Sequence, residues 1–378
     1  MSAGIQLGTR AHSRMKGVVV ARSAQPGVLF NLQALRALAA LLVVTHHLDG
    51  VLAPTALGPR FFLPGNVGVD IFFIISGFVM VHTITRRPAS GWDFALNRLI
   101  RVAPLYWALT LMLGGASLAM PALFNTLRTS PAEILYSLLF VPYSNEQGLV
   151  YPALFVGWTL NYEMFFYGLF GLALALFGGS LRRVVPATCI ALATLVVVGW
   201  VLRPSGVIPS FYTDPILLEF GMGMVLAKAY QHDLILPRKL GLVAAVGGMA
   251  LLIAFSVIVP TWERALFWGI PSLAVVGGAL SLEHHGTRFR ARLVQLLGGA
   301  SYALYLIHPL INMPIGRISN HLDSAPLGWA LAFLALLVST VLAVAIHIYV
   351  ERPVTARLRA LIGHAQPIAD LHEGRAAA

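Results

Sequence analysis

Long apolar stretches separated by short polar loops run through the chain, and their length sets the first expectation. A helix crossing a hydrocarbon core of roughly 30 Å needs about 20 mostly apolar residues. Ten segments meet that requirement, at about 31–52, 66–85, 104–124, 156–178, 184–202, 213–230, 240–259, 264–282, 293–313 and 327–350. An eleventh apolar run, 134–142, is too short to cross and ends in Pro142, so it is expected to be interfacial or re-entrant. The pattern predicts an all-α polytopic membrane protein of ten transmembrane helices plus that one short helix.

The loops carry the orientation. Twenty of the 26 basic residues fall on one side of this arrangement and five on the other, with Arg36 inside the first span. The basic side holds Arg98 and Arg101, the loops after the fourth, sixth and eighth spans, and both terminal tails. The five opposite are Arg60, Arg128, Arg203, Arg264 and Arg317. Positive loops mark the cytoplasmic face, so both termini are expected in the cytoplasm. A crossing at 134–142 would move every later loop to the other side and erase the asymmetry.

Composition agrees with the pattern. The 378 residues are 58% hydrophobic and 11% charged, against about 25% charged in a soluble domain. The formal net charge of +11 then reads as topology signal and contact with anionic membrane lipids, not as nucleic-acid binding. The single Cys189 excludes an intrachain disulfide and CxxC chemistry. Residues 1–27 are expected to form a disordered basic cytoplasmic tail, 28–355 one membrane domain and 356–378 a second cytoplasmic tail. No fused soluble domain, internal repeat or low-complexity tract is expected.

Ionisable residues at bilayer depth are costly and mark function by default. Arg36, His46 and His47 fall in the first span, Asp70 in the second, Glu163 in the fourth, Glu219 in the sixth and His308 in the ninth. Arg36 and His47 stand eleven residues apart, which in a continuous helix returns to within about 20° of one face, roughly 16 Å along the axis. Ser301, Tyr305, His308 and Asn312 form a polar stripe at helical spacing, and Thr159, Glu163 and Tyr167 form another. The plainer readings are an arginine snorkelling to lipid phosphate and polar residues bonding neighbouring helices. The basic end suits an anion, and the opposite half, with His47, Asp70, Glu163, Glu219 and His308, suits acid–base chemistry. No HExxH or GxxxxGK[ST] motif is present, so neither a metal nor nucleotide hydrolysis is indicated.

These residues resemble the membrane acyltransferase 3 family, in particular its exopolysaccharide O-acetyltransferase members of the succinoglycan type. Arg36 followed after ten residues by His47 is similar to the family's R-x10-H motif, and Phe72-Phe73-Ile74-Ile75-Ser76-Gly77 to its FFxxSG motif. Arg98-Leu99-Ile100-Arg101 is similar to its RxxR segment. The stretch from Trp158 to Tyr167, Ser301-Tyr302-Ala303-Leu304-Tyr305-Leu306-Ile307-His308-Pro309 and Tyr349-Val350-Glu351-Arg352-Pro353 complete the resemblance. The matches run in family order from about residue 30 to 355. Each motif alone is unspecific, whereas their order and the topology together are not.

The resemblance implies an enzyme of the bacterial inner membrane. It would move an acyl group, expected to be acetyl, from cytoplasmic acyl-CoA to a hydroxyl of a cell-surface or exopolysaccharide sugar, with a glycan or lipid-linked glycan as acceptor. By position, His47 would be the catalytic base and Arg36 its partner. Arg98, Arg101 and Ser76 would serve the donor. Asp70 or Glu163 is expected to orient the imidazole, and Ser301, Tyr305 and His308 to line the substrate path. Some relatives carry an added extracytoplasmic domain, so this chain is expected to act alone or with a separate partner. The alternatives are an acyltransferase acting on a macrolide or lipid, and a proton-coupled transporter or flippase of a lipid-linked glycan. The inverted-repeat symmetry common in transporters is not visible in the sequence.

Overall fold

The computed structural model describes residues 28–52, 63–120, 129–258, 264–322 and 324–362. The expected tail at 1–27, most of the one at 356–378, and Arg60 and Arg128 lie outside the described residues. Among the described residues the secondary structure is helical: α1 (Phe30–His46), α2 (Asp49–Leu52), α3 (Gly68–Arg86), α4 (Gly91–Ala119), α5 (Pro131–Leu138) and α6 (Trp158–Leu176). Then come α7 (Leu181–Leu202), α8 (Val207–Phe211), α9 (Leu217–Gln231), α10 (Arg238–Ile258) and α11 (Ile270–His284). The last are α12 (Arg292–Gly299), α13 (Ser301–Asn320), α14 (Ala325–Ile346) and α15 (Arg352–Leu361). Helices are the expected solution in lipid, where each backbone polar group must find a partner within its own segment.

Among the described residues, eight helical segments are long and apolar enough to cross a membrane. The α12–α13 pair, bent by 72°, makes a ninth if taken as one span. Two expected spans therefore look different. The ninth expected span is broken at Gly299–Ala300, and the sixth becomes α9, a helix of only 15 residues, about 22 Å long. The first span is also interrupted, because α1 ends at His46 and the chain turns at His47 and Leu48 before α2. The first part of the run at 134–142 lies in the eight-residue α5, which is capped by a reciprocal Ser130–Glu133 box and ends at Leu138. The run is far too short to cross, and it presents Leu135, Tyr136 and Leu139 outward.

Helix α3 is the hub. Of its most apolar stretch 83% is buried, against 22% for α7 and for α10, whose outer faces meet the surroundings through Ile190, Trp200, Val243 and Val246. The hub packs tightly on α9 because Gly77 and Gly223 sit at the crossing. A Cβ on Gly77 would collide with the Phe220 carbonyl, and one on Gly223 with the Ile74 carbonyl. Small residues that let backbones approach are the usual means of association between helices in lipid. The expected boundary at 355 falls inside α15. A π-helical turn, His347–Glu351, joins α15 to α14 in one continuous helical stretch, Ala325–Leu361.

Candidate active site

Three helices bring cations to one end of the bundle. Helix α4 starts on Ser90, whose hydroxyl accepts from the Asp93 amide at 3.0 Å, and two turns later presents Arg98 and Arg101. Helix α1 contributes Arg36 in its second turn, and α15 contributes Arg359. These guanidinium groups line a cavity of about 220 Å³ together with Ser76 of α3, Glu163 and Tyr167 of α6, and Ser301 and Tyr305 of α13. Its remaining wall is largely apolar, with Leu32, Phe72, Phe73, Val79 and Leu160.

Inside it, polar groups are tied mainly to neutral partners. Arg36 donates to the Ser301 hydroxyl at 3.0 Å and to Gln33 Oε1 at 3.2 Å. The Arg98 guanidinium lies over the Phe94 and Tyr167 rings, 5.4 and 5.9 Å from their centroids. Glu163 Oε1 accepts from the Tyr167 hydroxyl at 2.6 Å and from the Ser76 hydroxyl at 3.1 Å. Arg101 stands 3.9 Å from Glu351, whose other oxygen is 2.8 Å from His347 Nδ1. Of the residues expected from sequence, Arg36, Ser76, Arg98, Arg101, Glu163, Ser301 and Tyr305 thus meet in one cavity. His47, Asp70 and His308 do not line it.

His47 lies beyond the far wall of the cavity, at the C-terminal end of α1. Its Nδ1 is 2.8 Å from the Val43 carbonyl and 3.3 Å from His308 Nε2. A carbonyl only accepts, so Nδ1 carries the proton and Nε2 keeps its lone pair, the tautomer a base requires. The fully buried His308 is fixed the same way, its Nδ1 3.1 Å from the Leu304 carbonyl. Phe155 packs on His47 with ring centroids 5.1 Å apart, and Asn312 donates to the His47 carbonyl at 3.3 Å. The polar stripe of α13 therefore divides. Ser301 and Tyr305 face the cavity, while His308 and Asn312 hold the break after α1. Tyr305 separates the two regions, its hydroxyl 2.8 Å from the Thr159 hydroxyl and donating to the Val156 carbonyl at 2.8 Å.

Asp70 corrects the expectation that it orients the imidazole. Both of its oxygens accept from Arg264, at 2.7 and 2.8 Å, and its side chain is completely buried. The guanidinium is further held over Trp268, 4.7 Å from the ring centroid. Glu163 likewise has Ser76 and Tyr167, not His47, as its partners.

Glu351, His347 and Arg359 carry no expected role in the sequence. Glu351 lay in a quoted motif, and its i, i+4 spacing from His347 was the available signal. Arg359 falls in the stretch expected to be a tail. Among the described residues, no group of three His, Cys, Asp or Glu side chains is placed to hold a metal ion.

Comparisons with known proteins bear on what this arrangement does. Residues 29–349 match the family model described as an acyltransferase domain, Acyl_transf_3. The chain is also similar to the exopolysaccharide production protein ExoZ of Rhizobium meliloti (strain 1021), with 34% identity over 309 residues. That match covers 79% of this chain and 92% of the relative. No solved structure matches it.

Proposed function

Since the chain belongs to the acyltransferase family whose model spans residues 29–349, we propose that it O-acylates a surface polysaccharide from the bacterial inner membrane. The reading takes acyl-CoA, with acetyl as the acyl group, as the cytoplasmic donor and a sugar hydroxyl of an exopolysaccharide or its lipid-linked precursor as acceptor. The likeness to a protein named for exopolysaccharide production favours that acceptor over a macrolide or lipid. The family rules against a transporter as the primary activity. In this reading α9, with the turn before it, completes a tenth crossing, so that the basic loops and both termini share the cytoplasmic face.

The observation that carries the donor assignment is the cavity itself. It sets Arg36, Arg98, Arg101 and Arg359 against a single lining carboxylate, Glu163, at the end of the bundle where loop cations concentrate. Arginines offer planar, charge-assisted hydrogen bonds that suit phosphate oxygens. Phosphates held at the mouth by Arg98 and Arg101 would let the thioester lie deeper, past Ser76 and Arg36. His47 Nε2 would then take the proton of the sugar hydroxyl while its oxygen attacks the thioester carbonyl. The C–O bond forms, the C–S bond breaks, and the departing thiolate receives the proton from His47.

The route requires the Tyr305–Thr159 contact to part, because the cavity stops on that layer. The cavity lining also favours a second assignment, in which Glu163 is the base. The test is the O-acetyl content of polysaccharide from a null strain complemented with wild type or His47→Ala. Wild type is expected to restore ester and His47→Ala to leave it at the null level. Full restoration by His47→Ala would reject the histidine as base.

A further inference from the structure

Resting on the reading of CoA as donor, we infer that Arg359 is the binding residue for the 3′-phosphate of the CoA adenosine, so that α15 makes the site select a whole CoA thioester. The helical stretch Ala325–Leu361 is 37 residues long, about 55 Å, against a hydrocarbon core of roughly 30 Å. Its last turns therefore stand outside the membrane, at the basic end. Helical phase decides which cation of α15 turns inward. Thr355 is buried against the bundle, and Arg359, four residues on, falls on the same face and lines the cavity. Arg357 is exposed on the outer side.

CoA brings two phosphates in its diphosphate and a third on the ribose. Arg98 and Arg101 lie three residues apart on α4, roughly 4.5 Å along the axis, close enough for one diphosphate to meet both. Arg36 is spent deeper in the cavity on Ser301 and Gln33. Arg359 comes from a different helix at the cavity mouth, where the adenosine end of a donor threaded thioester-first must lie.

The test is equilibrium binding of CoA and of dephospho-CoA, which lacks only the 3′-phosphate, to the purified full-length protein in lipid nanodiscs. It needs neither turnover nor a known acceptor. Wild type is expected to bind CoA roughly ten-fold or more tightly than dephospho-CoA, the scale of one charge-assisted hydrogen bond. Arg359→Gln is expected to erase that preference by weakening CoA alone, Arg359→Lys to restore part of it, and Arg357→Gln to behave as wild type. An Arg359→Gln protein that keeps the preference, or that loses affinity equally for both ligands, overturns the inference. Failure of wild type to bind either ligand would instead overturn the donor reading beneath it.

Discussion

Arg264 and Arg98 both carry a guanidinium into the helix bundle, and the bundle treats them in opposite ways. Arg264 forms two hydrogen bonds to a fully buried carboxylate and is stacked on Trp268. Arg98 rests on two aromatic faces and looks into a cavity shared with three other arginines. The first arrangement pairs the guanidinium with a carboxylate where it stands, with the buried Glu219 beside the pair. In the proposed function the second is where the donor's phosphates bind. Depth in the membrane alone thus does not tell a carboxylate-paired charge from one that faces a cavity; what each group touches does.

The comparison can be broken or sharpened at several residues. The largest effect is expected in catalysis. A general base contributes about 10²–10⁴-fold, so whichever of His47→Gln and Glu163→Gln removes the base should lower kcat by that factor at unchanged KM for acetyl-CoA. The other variant should lose far less. Steady-state kinetics with both variants checks this, and comparable large losses in both would show that the two residues act as one unit.

Next is Arg264→Met. Stranding Asp70 should cost about 3–5 kcal/mol, whereas removing both charges in Asp70→Leu/Arg264→Met should recover most of that loss. Denaturation of the purified protein measures both, and additive losses in the double variant would contradict the pairing. The smallest effect is expected at His308. His308→Leu deletes the acceptor beside His47 Nδ1 but leaves the Val43 carbonyl, so kcat should fall by about ten-fold, the scale of one hydrogen bond. The pH profile should shift with it, and His308→Gln, which retains an acceptor, should restore most of the rate.

Much of this was legible in the sequence, and the omissions have physical causes. Segment length and loop charge located the helices, and the short α5 was foreseen from its length. Helix α9 read as a full span because apolar residues flank it, but the turns before Leu217 are not part of its helix. The α12–α13 bend falls at Gly298-Gly299-Ala300, where Gly298 packs too closely on the Gln33 carbonyl to carry a Cβ, a contact that hydropathy does not encode.

Within the site, Arg36 and Glu163 were legible because each is polar at a depth where polarity is costly, and Arg98 and Arg101 through the family resemblance. The partner of Asp70 was not, since Arg264 lies 194 residues away and resembles an ordinary loop cation. The phase argument joining Arg36 to His47 assumed an unbroken helix. It stops one residue short, because α1 ends at His46, and the wall at Tyr305 depends on tertiary contacts that no periodicity encodes.

The contrast between the two arginines can be put to one measurement: melting of wild type, Arg98→Gln and Arg264→Met proteins with and without saturating CoA. Ligand that binds only the folded state raises the melting temperature. Arg98→Gln is expected to melt like wild type without CoA and to gain little from it, whereas Arg264→Met should melt lower and gain the full wild-type increment. The reverse pattern, or a wild-type protein indifferent to CoA, would contradict the division between a carboxylate-paired arginine and one that binds the donor's phosphates.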